Sequence, residues 1–328
     1  ESSNSGTNLD YPETLLVRHQ DTLTVSFETS ERISVQSDLD GALKPMVSFY
    51  HNDKPLPVSD EFIKNITSDT TGTIWKAELT IDENSEVLNE KEEYLGFKII
   101  VFDKAGNQRE IRFNDNGTEL TQNIISDEDS AENLTKKRVR FDTVLPNILH
   151  FSFSSTNQGL NSEDYPQTLL AKDGDNITLS FQTSERIDND SIFPEVIFLN
   201  GNEQENAEQS SIIHTDNGTN WTATLDASKL PANKENFLGF RIIVYDEAGN
   251  KRTLEFVDDN TSLTQLSPPL DDYPTKNPSG YRMRYDQKAP EIESIAWLSS
   301  NLGENVEDFP NTRFVKNGDN LSLSFFTS

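Results

Sequence analysis

Residues 238–256 read LGFRIIVYDEAGNKRTLEF, and residues 95–113 read LGFKIIVFDKAGNQREIRF. Each is a strand, a tight turn and a returning strand. FRIIVYD (240–246) is a nearly continuous β-branched and aromatic run, as expected of a central strand. In DEAGN (246–250), Gly249 supplies a positive φ and Asn250 tolerates one. KRTLEF (251–256) then runs back. The copies stay in step further out. FETSERI (27–33) returns as FQTSERI (181–187), and FFTS (325–328) begins a third copy. RFDTVLPNI (140–148) returns as RYDQKAPEI (284–292), and DYP (10–12, 164–166) becomes DFP (308–310). Asp142 and Asp286 lie 144 positions apart, Asp103 and Asp246 143. A fixed period marks a tandem array, and each unit is long enough to close its own core.

The second copy gives the strand pattern. ILHFSF (148–153) is a short apolar strand. NITLSFQ (176–182) puts Ile177, Leu179 and Phe181 on one face, the period of a half-buried strand. EVIFLNG (195–201) runs into an Asn-Gly turn, NWTATLD (220–226) alternates, and GYRMRYD (280–286) closes the unit. Trp75 and Trp221 occupy corresponding slots and read as core residues. No segment carries a 3.6-residue period. The fold class is all-β, as tandem antiparallel β-sandwiches. The first spans 1–141 without its first strand, the second 142–286 is complete, and 287–328 holds the first two strands of a third. Two explanations of the partial units stay open: a window on a longer array, or strands exchanged between neighbouring chains. The polar stretches 115–136 and 257–279 are expected to be mobile.

Charge narrows the partners. The chain of 328 residues carries 56 acidic and 28 basic residues, a net charge of −28. Nucleic-acid backbones and anionic membrane surfaces would be repelled. No apolar run approaches the length of a membrane-spanning helix, so direct membrane insertion of this segment is not expected. Cysteine is absent, which removes disulfides and thiolate chemistry. Asn-x-Ser/Thr sequons at Asn65, Asn116, Asn133, Asn176, Asn189, Asn217, Asn220, Asn260 and Asn320 are candidate glycosylation sites.

The run AKDGDNITLSFQTSERI (171–187), the turns VFDKAGN (101–107) and VYDEAGN (244–250), and the joints FDTVLPNI (141–148) and YDQKAPEI (285–292) together resemble prokaryotic Ig-like surface repeats. The resemblance spans nearly the whole chain. It implies Ig-like sandwiches in a cell-surface or secreted array of bacteria or archaea, of the adhesin-stalk or S-layer type. It implies no enzymatic activity. Long loops set the second copy apart from a minimal module.

Candidate chemistry is sparse. The four histidines stand at no metal-ligand spacing, and HExxH, GxSxG and GxGxxG are all absent. An enzyme is not expected, and calcium is the one candidate cofactor. In an Ig-like array the incoming linker lies beside the turn of the module it enters, so Asp142 should approach Asp246 and Asn250. Asp286 should do the same ahead of the third unit. Carboxylate and amide oxygens suit a hard cation. Alternatively, Asp246 only caps its own turn. The expected function is a structural surface array, in a surface layer, filament or adhesin stalk, acting by spacing and self-association with like chains. The alternative is an extracellular binding module whose inserted loops recognise a glycan or a host protein.

Overall fold

The computed structural model describes residues 1–4, 6, 12–33, 45–51, 54–55, 66–80, 92–123, 136–159, 167–187, 193–231, 235–268, 274–301 and 312–327. Among these residues the runs that alternate with period two, such as 22–28, 74–80, 176–183 and 220–226, form strands. In the first repeat, β2 (Thr22–Glu28), β6 (Ile74–Thr80) and β5 (Ile66–Ser68) make one sheet. A second holds β1 (Thr14–Val17), β11 (Arg138–Asp142) and β7 (Glu92–Tyr94). A third runs β10 (Leu120–Asn123), β9 (Gln108–Asp115), β8 (Gly96–Phe102), β3 (Met46–His51) and β4 (Lys54–Pro55).

The second repeat shows the full design. One sheet has the order β12 (Ile148–Ser155), β14 (Asn176–Thr183), β18 (Asn220–Asp226), β17 (Ile212–Thr215). The other runs β13 (Thr168–Ala171), β22 (Arg282–Asp286), β19 (Glu235–Tyr245), β15 (Glu195–Asn200), β16 (Glu203–Asn206). β20 (Lys251–Asp258) also pairs with β19, and β21 (Leu263–Ser267) pairs with β20. β19 is one strand where the first repeat has two, β7 and β8, interrupted at Leu95. Leu95 still donates its N–H to the Val139 carbonyl at 2.9 Å, so the two small sheets of repeat one correspond to this single large one.

The strand that returns from the DEAGN turn is split. β20 pairs with the Phe240–Tyr245 half of β19, and β22 pairs with Glu235–Phe237. Between them the chain makes β21 and then crosses to the edge of β12. There the Phe151 N–H donates to the Lys276 carbonyl at 2.9 Å, and the Lys276 N–H to the Leu149 carbonyl at 3.0 Å. Part of 257–279, expected to be mobile, therefore covers an open strand edge, which would otherwise invite pairing with other chains. The corresponding 115–136 stretch likewise carries β10. β1 runs parallel to β11, and β13 parallel to β22.

Both sheets of the second repeat feed one core. Phe240 lies 4.7 Å from Phe151, 5.6 Å from Phe153 and 5.1 Å from Phe256, centroid to centroid. Trp75 and Trp221 are each 1 % exposed. Each stacks with the phenylalanine opposite it on the paired strand at 6.5 Å, Phe27 in one repeat and Phe181 in the other. Gly96 and Gly239 hold matching places, where a Cβ would drive into the Phe113 or Phe256 carbonyl.

Each repeat also buries an ion pair. Arg138 donates Nε and Nη2 to the Asp115 carboxylate at 2.8 and 2.6 Å, with its guanidinium 3.8 Å from the Tyr94 ring centre. Arg282 does the same to Asp258 at 2.7 and 2.5 Å, over Phe237 at 3.7 Å.

In the third unit, β23 (Ile292–Ser299) pairs with β24 (Leu321–Thr327), placing Ile295 opposite Phe325 just as Phe151 faces Phe181. Trp297 is 56 % and Phe325 58 % exposed. Among the described residues the only helical pieces are three-residue 3-10 turns. Among these residues no helix is long and apolar enough to cross a membrane.

Candidate functional site: the joint between the first two repeats

The Asp246–Asn250 turn holds itself together. The Asn250 N–H and Nδ2 donate to the two carboxylate oxygens of Asp246, each at 2.8 Å. Gly249 sits at φ +83°, where a Cβ would be strained. The turn of repeat one is built alike. The Asn107 N–H and Nδ2 donate to Asp103 at 2.8 and 2.7 Å. The repeated sequence thus dictates the local structure.

The surroundings differ. Asn107 is exposed, and its side-chain amide holds the Asp103 carboxyl below the ordinary value. Asp246 is only 2 % exposed. Asn250 Nδ2 also donates to the Asp142 carbonyl at 3.1 Å, which ties the linker from repeat one to the turn of repeat two. Asp142, Asp246 and Asn250 thus lie together at the joint. Burial, and then the charge of Asp142, push the Asp246 carboxyl up to about 7. Burial also raises Asp142.

Four further hydrogen bonds, from three residues, fix the joint. Arg252 donates Nε to the Pro146 carbonyl at 3.1 Å and Nη2 to Asn147 Oδ1 at 2.8 Å. Asn4 Nδ2 donates to the Ala248 carbonyl at 2.9 Å. Arg18 Nη1 donates to the Gly249 carbonyl. Asn4 is itself held by Asp21 Oδ2 at 2.6 Å. Asn157 with Asp175 and Asn301 with Asp319 repeat that bond, both at 2.7 Å. In the loops at 18–21, 173–176 and 317–320 one Asp does the same work in all three copies; in the first two repeats these loops pass from one sheet to the other, β1 to β2 and β13 to β14, and so are not hairpins.

Glu185 is the member that sequence reasoning missed. Its carboxyl is pushed up to about 8 by burial, then by the charges of Asp246 and Asp142, with Arg140 acting the other way. Its counterpart Glu31 is exposed. The Glu-Arg pair recurs in sequence at 31–32 and 185–186. Only the packing of the linker shows that the neighbours are two more carboxylates.

Asp286 joins no such cluster. It accepts from the Lys288 N–H at 2.9 Å and faces Arg284 at 3.5 Å. Among the described residues, no three histidine or carboxylate side chains converge at metal-binding distance. Of the sequons, Asn116, Asn176, Asn217, Asn260 and Asn320 are exposed. Asn220 is half-buried and donates to Asp216 at 2.7 Å. Asn65, Asn133 and Asn189 lie outside the described residues.

A family model described as Bacterial Ig-like domain matches residues 69–115 and 171–260. The first match runs to the end of β9, and the second spans β14 to β20 and the residues just beyond. None of the curated proteins matches this chain. Among solved structures, the complex of Dpr2 with DIP-Theta is similar at 9 % identity, covering 74 % of this chain and 92 % of that one, with a TM-score of 0.21. BcpA, the major pilin subunit of Bacillus cereus, is similar at 12 % identity, covering 71 % and 67 %, with a TM-score of 0.19. A variant of the same pilin gives 11 % identity, 93 % and 84 %, and 0.19. The chain is thus a nearly all-β protein of tandem Ig-like sandwiches, two stretches of which match the bacterial Ig-like domain.

Proposed function

We propose that this chain is part of an extracellular structural array in which Ig-like modules set spacing along a stalk, filament or surface coat and associate with like chains. The bonded joint carries the reading. The linker residues Asp142, Pro146 and Asn147 each accept a hydrogen bond from the module they enter. A joint pinned in this way holds successive modules at one separation, which a freely hinged linker cannot do. The recurrence of the same Asp-closed turns and ion pair in successive copies supports a role in which every copy does the same job.

Calcium at the joint belongs to this reading. Asp142 and Asp246 would offer carboxylates, and Asn250 an amide oxygen, to a cation that relieves the repulsion they share with Glu185. Asp286 stands in the corresponding place ahead of the third repeat. Glycans on the exposed sequons would keep the free faces hydrated.

Small-angle scattering tests the spacing. The full chain should show a narrow distribution of distances between repeats, and Asn250→Ala with Arg252→Ala should broaden it. Identical curves would remove the joint as a spacer. Sedimentation over a concentration series tests association, and a chain that stays monomeric throughout would remove that part.

A further inference from the structure

The outer face of the β12–β14–β18–β17 sheet carries a groove of about 390 Å³, within the size range of small-molecule sites. Its floor is one row across the sheet. Ser152 lies opposite Ser180, Ser180 opposite Thr222, and Thr222 opposite Ile213. Ile213, 60 % exposed, rises on one side, and Pro278 lines the groove too. Gln182 and Asn220 form part of the next row.

Two features set this groove apart. No Asp, Glu, Lys or Arg lines it, although 26 % of the chain is charged and the net charge is −28. Among the described residues, the hydroxyls of Ser152, Ser180 and Thr222 make no side-chain hydrogen bond, whereas Thr178 and Thr224 on the same face satisfy each other at 3.0 Å. Half-buried hydroxyls of this kind are donors and acceptors waiting for a partner.

Repeat one lacks the groove's chemistry. There Ser26 lies opposite Lys76, and Glu28 follows Phe27 as Gln182 follows Phe181. The neutral face is therefore particular to the second repeat.

Those properties select the ligand. An anion would meet the field of a strongly acidic chain. A cation would find no carboxylate in the groove. A neutral molecule rich in hydroxyls, with apolar ring faces to set against Ile213 and Pro278, meets none of these penalties. We propose that this groove binds a short segment of neutral carbohydrate. The inference goes beyond the array reading and does not depend on it.

The test uses the full chain and saturation-transfer NMR with cellotetraose, chitotetraose, maltotetraose and mannotetraose in turn. At least one should take up saturation. Thr222→Lys with Gln182→Glu, which installs the charges that repeat one already carries on equivalent strands, should weaken that binding about tenfold, the effect of losing one or two ligand hydrogen bonds. Ile213→Asp, at an exposed position, should weaken it as well while leaving the melting temperature in place. No signal from any of the four sugars, or an unchanged signal in both variants, would overturn the proposal. So would variants that alter sedimentation in a wild-type chain showing no sugar signal, since the face would then be a contact between copies.

Discussion

Repeat two should lose stability as pH rises, and Asp246 should be responsible for a measurable share. Its carboxyl stands at about 7 in the folded chain against an ordinary 3.8. The folded value is raised, so the contribution to stability is fully present below about pH 4 and disappears as pH climbs through 7. At 1.36 kcal/mol per pH unit, the change between pH 5 and pH 8 comes to about 2–3 kcal/mol. In a domain of this size that corresponds to about 5–10 °C in the melting temperature. Glu185 and Asp142 face the same spot and act in the same direction, while Arg140 opposes Glu185. Because these charges share one interaction, their effects do not add separately. Calorimetry of the full chain at pH 5 and 8, with chelator and at constant ionic strength, reads the difference. A net charge of −28 gives a general slope of its own, so the diagnostic is Asp246→Asn, which should flatten the slope of the second repeat's transition. Asp103→Asn, in the open turn of repeat one where the carboxyl is held low, should leave that transition alone. If wild type and Asp246→Asn lose equal stability between pH 5 and 8, the burial argument fails.

At pH 8, millimolar calcium should raise the second repeat's melting temperature over that in chelator, and Asp246→Asn should abolish the rise; an unmoved wild-type transition would take calcium out of the joint. Phe240→Ala should cost about 3–5 kcal/mol, because three aromatic rings close on that side chain, and urea unfolding would show it as a shifted midpoint. Arg282→Met should cost about 3–5 kcal/mol by leaving the Asp258 carboxylate buried without its partner, and adding Asp258→Asn should recover much of that loss; strictly additive losses in the double-mutant cycle would contradict the pairing.

The strands were legible because burial leaves a period-two mark. Ile177, Leu179 and Phe181 point inward as their alternation requires, and the Asp-x-Ala-Gly-Asn turns fold alike because their hydrogen bonds are local. What sequence could not show depends on distant segments. The split return strand is one case, since nothing local in 257–279 reveals that Lys276 pairs with β12. The Arg138–Asp115 and Arg282–Asp258 pairs are another, although the recurring Arg-x-Arg-x-Asp at 138–142 and 282–286 was a signal: a buried-strand neighbourhood tolerates a repeated arginine only with a partner. Glu185 is the third. In sequence it equals Glu31, and only the linker packed against it makes it different.

The parallel pairing of β13 with β22 has a consequence for a chain pulled at its ends. Thr168 lies beside Arg282 and Ala171 beside Tyr285, so tension enters the ladder at one end of β13 and leaves at the opposite end of β22. The two strands must slide past each other for the module to open. Their cross-links then bear the load together instead of peeling apart one by one, and β1 with β11 repeats the arrangement in the module before.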